Sequence, residues 1–133
     1  MTRNESAKVE DMCRKYVTAL QHGDIEALLE LFSDEASATS PISGRQLARD
    51  FYAYVMRVTS ARSIVIKTIF IGTSEPLRAA IHLAYTRTVG NGEPATIEGV
   101  DVFELSKDGD KFDEITIIYD TAPVRVDFDP RGA

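Results

Sequence analysis

A chain of 133 residues, 44% hydrophobic and 27% charged, has the size of one domain, with room for a single core but not for separate catalytic and cofactor domains. Its net charge of −6, with Lys and Arg scattered among the acids, argues against nucleic acid and anionic membrane as partners, and no apolar run nears the roughly 20 residues that span a bilayer. Cys13 is the one cysteine, which excludes an intrachain disulfide and a cysteine zinc cluster; His22 and His82 stand in no metal-binding spacing, so no metal is expected. The polar N-terminus carries no apolar leader core, so the cytoplasm is the expected location.

Apolar side chains at Val9, Met12, Cys13, Tyr16, Val17 and Leu20 recur at the spacing of one helix face, predicting a first helix over residues 8–22. Gly23 ends it in the left-handed position, and Asp24 caps a second helix through Ile25, Leu28, Leu29, Leu31 and Phe32. A polar break at 33–35 leads to a short extended piece over 36–40, where Pro41 disfavours helical backbone at Ser40. Ser43 reads as the cap of a third helix through Leu47, Phe51, Tyr52, Val55 and Met56, ending near 57–61.

Beyond this point β-branched residues dominate. Segments 64–71, 78–89, 96–106 and 112–121 read as strands separated by Gly, Pro, Asn and Asp turn chemistry. Helices first and strands afterwards is an α+β pattern. The expected architecture is a cone-shaped curved antiparallel sheet of four meandering strands, covered by three N-terminal helices, with a polar tail after Ala122.

In the third of these strands Ile97, Gly99, Asp101, Phe103 and Leu105 face one way, while Glu98, Val100, Val102 and Glu104 face the other. Asp101 is therefore in phase with the apolar residues. A carboxyl there either finds a strong partner or keeps its proton, and that marks the position of a pocket. His82 in mid-strand and His22 at a helix end are unconvincing bases, Cys13 on an apolar face is core, and Asp108 and Asp110 belong to a turn that lacks the calcium-loop spacing.

From about Val9 to Tyr119 the chain resembles the Δ5-3-ketosteroid isomerases, within the nuclear transport factor 2-like and polyketide-cyclase-like superfamily. The resemblance lies in Y-V-T-A-L-Q-H-G-D-I-E-A-L-L-E-L-F-S-D-E-A for the first two helices, G-R-Q-L-A-R-D-F-Y for the third, and G-V-D-V-F-E-L for the strand with Asp101. It implies that Tyr16 is an oxyanion-hole tyrosine and Asp101 the neutral aspartic acid that donates the second hydrogen bond to a dienolate. Tyr52 would bond to Tyr16, and Phe32 stands where some members extend this network with another tyrosine; Phe103 joins Tyr52 and Phe32 as an expected substrate-contact or network residue. The family's fold implies a homodimer, a small hydrophobic, steroid-like ketone as substrate, and no cofactor.

The departure is at Ser40. The family's general base is an aspartate before a proline, and here that place reads T-S-P; a serine without a histidine or lysine beside it is a poor proton carrier near neutral pH. Three explanations stand open: a carboxylate from elsewhere, with Glu114, Glu98, Glu75 and Asp34 as candidates; a water held by Ser40; or loss of function. The expected activity is a steroid delta-isomerase, with a binder of a steroid-like or polyketide-like ligand, or a related dehydratase or cyclase, as the alternative.

Overall fold

The computed structural model describes residues 2–123; most of the tail expected after Ala122 lies outside them. Helix α1 spans Arg3–His22 and starts five residues before the predicted position, because the Thr2 hydroxyl accepts from Glu5 N at 3.1 Å and caps it. Its buried face is the predicted one, from Val9 to Leu20. Gly23 closes it at φ 70°, and Asp24 N reaches back to Ala19 O at 2.9 Å. The Arg62 guanidinium sits over this end, donating from Nε to Leu20 O and from Nη1 to Thr59 O and Oγ1, so one cation covers the negative end of the helix.

Helix α2, Ile25–Glu30, is shorter than its apolar pattern suggests. Leu31 O accepts from Phe112 N at 2.8 Å, so the sheet captures the chain there and Phe32 opens strand β1, Phe32–Ser40, instead of closing the helix. The predicted polar break at 33–35 lies inside this strand, where Asp34 and Glu35 are solvent-exposed; a strand tolerates such residues when they face water. A second correction concerns Ser43. Strand β2, Gly44–Leu47, folds back on β1 in a hairpin, so Ser43 lies in the hairpin turn, and helix α3, Ala48–Val58, begins after Leu47 without a side-chain cap.

Strands β3 (Thr59–Ile71), β4 (Arg78–Val89), β5 (Ala95–Leu105) and β6 (Phe112–Tyr119) follow as the expected meander. The sheet, however, has six strands in the order β2-β1-β6-β5-β4-β3, and β1 runs parallel to β6. The expectation of a purely antiparallel sheet therefore fails, while the α+β architecture of N-terminal helices on a curved open sheet holds. The N-terminal half thus contributes two strands: the extended piece expected over 36–40 is the second half of β1, whereas β2 had no counterpart in the local pattern.

The core lies between the helices and the inner face of the sheet, where Ile81, Phe103, Phe112 and Ile115 are fully buried. Phe103 and Phe112 stack at 4.2 Å; each ring contributes about 2–3 kcal/mol by burial. The outer face carries Lys67–Glu98, His82–Glu98 and Arg78–Glu104 pairs, with Val65, Phe70 and Ile118 exposed. Among the described residues no helix is long and apolar enough to cross a membrane, and no cluster of His, Cys, Asp and Glu could hold a metal ion.

Candidate functional site

Between α1, α3 and the inner faces of β4, β5 and β6 lies a cavity of about 100 Å³, large enough for several water molecules or part of an organic ligand. Its walls are mainly aliphatic: Leu20 from α1, Val55 and Val58 from α3, Leu83 from β4 and Ile117 from β6. All five tyrosines of the chain line it: Tyr16, Tyr52, Tyr54, Tyr85 and Tyr119. An apolar chamber studded with a few hydroxyls suits a hydrophobic ligand that carries polar atoms at set positions.

Tyr16 and Tyr52 meet here because their helices place them on facing, fully buried positions. Their hydroxyl oxygens are 2.6 Å apart, and Tyr16 is held edge-on by Phe103 at 4.9 Å, Tyr52 at 6.0 Å and Phe32 at 6.3 Å. Burial, then the neighbouring Tyr52 and Asp101, hold the Tyr16 hydroxyl protonated well above its usual range; burial and then Asp101 do the same for Tyr52. Both are therefore hydrogen-bond donors across the physiological range. Phe32 and Phe103 are not among the residues lining the cavity; they brace the tyrosine rings from behind.

Asp101 sits on the inner face of β5, as its phase predicts, and lines the cavity. Burial alone pushes its carboxyl up to about 7. Its influence reaches Tyr16, Tyr52, Tyr85 and Cys13, so it stands at the centre of the polar groups. Cys13 itself is fully buried and its thiol is pushed up to about 12, mainly by burial, which makes it inert.

Ser40 also lines the cavity, and its Oγ accepts from Ser43 N at 3.1 Å within the β1–β2 turn. No second carboxylate joins it. Glu98 is on the outer face with Lys67 and His82. Glu114 sits in the sheet opposite Ser37 and Glu104, Asp34 lies exposed on β1, and Glu75 precedes a cis proline in the β3–β4 turn. None of these four lines the cavity, and among the described residues Asp101 is the only carboxylate that does.

Several lining residues were not anticipated, among them Tyr54, Tyr85, Arg87 and Tyr119. Tyr85 and Arg87 continue the inward alternation of β4 after Ile81 and Leu83, and Arg87 is 2% exposed. The signal was available: an arginine in phase with core residues of a strand is as anomalous as an aspartate. Tyr85 Oη is buried and faces Thr59, yet makes no hydrogen bond of good geometry.

A family model for the SnoaL-like domain matches residues 13–114. Among curated proteins, none matches the chain by sequence. Solved structures do share the fold. PrhC from Penicillium brasilianum NBRC 6234 superposes with a TM-score of 0.76 at 16% identity over 91% of this chain and 85% of that one. SalBIII, an epoxide hydrolase/cyclase-like enzyme with a role in pyran ring formation in the polyether salinomycin, gives 0.71 at 19% over 86% and 92%. A protein of ketosteroid isomerase-like fold from Catenulispora acidiphila DSM 44928, in complex with trimethylamine, gives 0.71 at 12% over 88% and 91%.

Proposed function

The chain belongs to the SnoaL-like domain family, and from that premise we propose that its cavity is the active site of an enzyme that enolises a small hydrophobic ketone. The specific reaction is the shift of a double bond from β,γ to α,β conjugation in a steroid-like 3-ketone. One observation carries this reading: a single carboxyl, raised to about 7 by burial, shares an apolar cavity with a hydrogen-bonded tyrosine pair.

At pH 7 about half of such a carboxyl is ionised, the poise at which one group serves as base and then as acid. Asp101 as carboxylate removes the proton between the ketone and the double bond, and the electron pair moves onto the ketone oxygen. Tyr16 donates to that oxygen while Tyr52 donates to Tyr16, a preorganised stabilisation of the developing charge. Asp101 then returns the same proton to the γ-carbon, so the reaction needs no redox partner. This gives Asp101 the proton transfer that the resemblance assigns to the Ser40 position, because Ser40 has no carboxylate beside it.

A second reading shares the enolate. Attack on an internal carbonyl, with Asp101 protonating the resulting alkoxide, would make a cyclase of a polyketide-like ketone, and the single acid–base group suffices for that sequence too. A second copy of the chain is proposed to cover the outer sheet face around Val65, Phe70 and Ile118.

The test is conjugated-enone absorbance with 5-androstene-3,17-dione. Turnover lost in Asp101→Asn supports the proton-transfer role, since an amide still donates a hydrogen bond but cannot carry the proton. Turnover retained in that variant refutes it. Thermal stabilisation by the ligand without turnover identifies a binder instead.

A further inference from the structure

The polar groups of the cavity fall at two places along the sheet. Asp101 on β5 pairs with Ile81 on β4, and the inward face of β4 then runs through Leu83 and Tyr85 to Arg87. Six residues of strand separate Ile81 from Arg87, ~20 Å at about 3.3 Å per residue. Arg87 lowers both Tyr85 and Tyr119 against the dominant effect of burial and is not among the causes that act on the Asp101 carboxyl, while Tyr85, between the two, also answers to Asp101. The guanidinium thus belongs to the end of the cavity away from Asp101, grouped with two tyrosines.

Among the described residues that line the cavity, Arg87 is the only cation, and it is buried. A guanidinium is a permanent cation with five N–H donors in a fork, so a neighbour held on one edge leaves donors for a ligand on another. Beside it, the buried Tyr85 hydroxyl lacks a well-formed hydrogen bond, a cost that a ligand acceptor would remove. A carboxylate is the group that matches this set, because charge-assisted, two-pronged bonds to arginine exceed those of a neutral acceptor.

Resting on the enolisation reading, we propose that the substrate is an acid as well as a ketone: a hydrophobic keto acid whose carboxylate, at the end remote from the reacting carbonyl, is held by Arg87 with Tyr85. This sets the orientation of the ligand, with the ketone at Tyr16 and the acid at Arg87.

The test compares two probes of one shape, 4-androsten-3-one-17β-carboxylic acid and its methyl ester, by titration calorimetry at pH 8. The expected result is that wild type binds the acid at least tenfold more tightly than the ester, that Arg87→Gln reduces this ratio to about one with ester affinity retained, and that Tyr85→Phe reduces it by severalfold. Equal affinity of wild type for the two probes, no binding of the acid, or a preference that survives Arg87→Gln overturns the proposal. If Arg87→Gln does not fold, as judged by its melting curve, Tyr85→Phe decides: an unchanged ratio there overturns it. Binding is read without turnover, so an acid preference in a protein that forms no enone refutes the enolisation reading alone.

Discussion

Tyr16 and Tyr52 place their hydroxyl oxygens 2.6 Å apart in a fully buried position, and each hydroxyl has one proton to give. With a ligand oxygen at Tyr16, the Tyr16 proton goes to the ligand and the Tyr52 proton to Tyr16. The two tyrosines are then unequal. Tyr16→Phe removes the donor that meets the developing charge and is expected to lower kcat by about 10²–10³-fold. Tyr52→Phe removes only a bond to that donor and is expected to lower kcat by about fivefold, the scale of one hydrogen bond of ~1 kcal/mol. Equal losses, measured as enone formation, would put Tyr52 on the substrate as well.

Asp101 makes a prediction about stability that does not depend on substrate. Its folded value, about 7, lies above the ordinary 3.8, so between those two values the folded protein binds the proton more tightly than the unfolded chain. Stability from this group is therefore full below about pH 4, declines as pH rises through 7, and is flat above; the span is on the order of 4 kcal/mol at most. Asp101→Asn cannot titrate. Urea melts of both proteins should show the variant gaining on wild type steadily from pH 4 to pH 8, and parallel curves would mean that Asp101 is solvated in solution.

Enzyme kinetics should follow the same group in the opposite sense. If Asp101 is the base, kcat/KM rises with pH and levels off above about 7. A rate that falls across this window would return Asp101 to the role of neutral donor and require another base.

The inward residues of β5 were legible because a strand's period of two assigns every side chain to a face, and Asp101 fell with Phe103 and Leu105. The same rule on β4 puts Arg87 in phase with Ile81 and Leu83, where a charge is as anomalous as that of Asp101. Other features were not local. Phe32 looks helical by spacing, and it became a strand residue because Phe112, eighty positions away, pairs with it. Ser43 has the chemistry of a helix cap and of a hairpin turn alike, and only the pairing of Ser40 with Gly44 decides between them. Nothing within 33–40 announces a parallel partner in β6, since parallel pairing leaves no turn between its strands.

Gly99 links sheet geometry to the cavity. It lies between Ile97 and Asp101 on the inner face and lines the cavity, and a methyl group there would come within 2.7 Å of Ile118 O and 3.1 Å of Tyr119 Cβ. The nearer atom is backbone of the paired strand β6, which cannot swing aside as a side chain would. Gly99→Ala is expected to cost about 1–3 kcal/mol by overpacking and to spread β5 from β6 beside Asp101, seen as a lower Tm with faster amide exchange in both strands.

Ser40 offers the strongest test of how the site is built. Its hydroxyl accepts from Ser43 N at 3.1 Å, and an aspartate accepts the same bond in the same kind of turn, so Ser40→Asp should fold. The new carboxylate would face the cavity together with Asp101, as Ser40 does now, and the Ser43 N–H that bonds to residue 40 would favour its ionised form. Proton transfer could then pass to residue 40, leaving Asp101 to donate a hydrogen bond to the dienolate beside Tyr16. The expected outcome is a gain of at least tenfold in enone formation from 5-androstene-3,17-dione, together with a pH profile displaced to lower pH. In that background Asp101→Asn should cost far less than it does alone, because an amide can still donate. No gain in Ser40→Asp, with the fold intact, would mean that a ketone bound at Tyr16 does not bring its acidic carbon within reach of the β1–β2 turn.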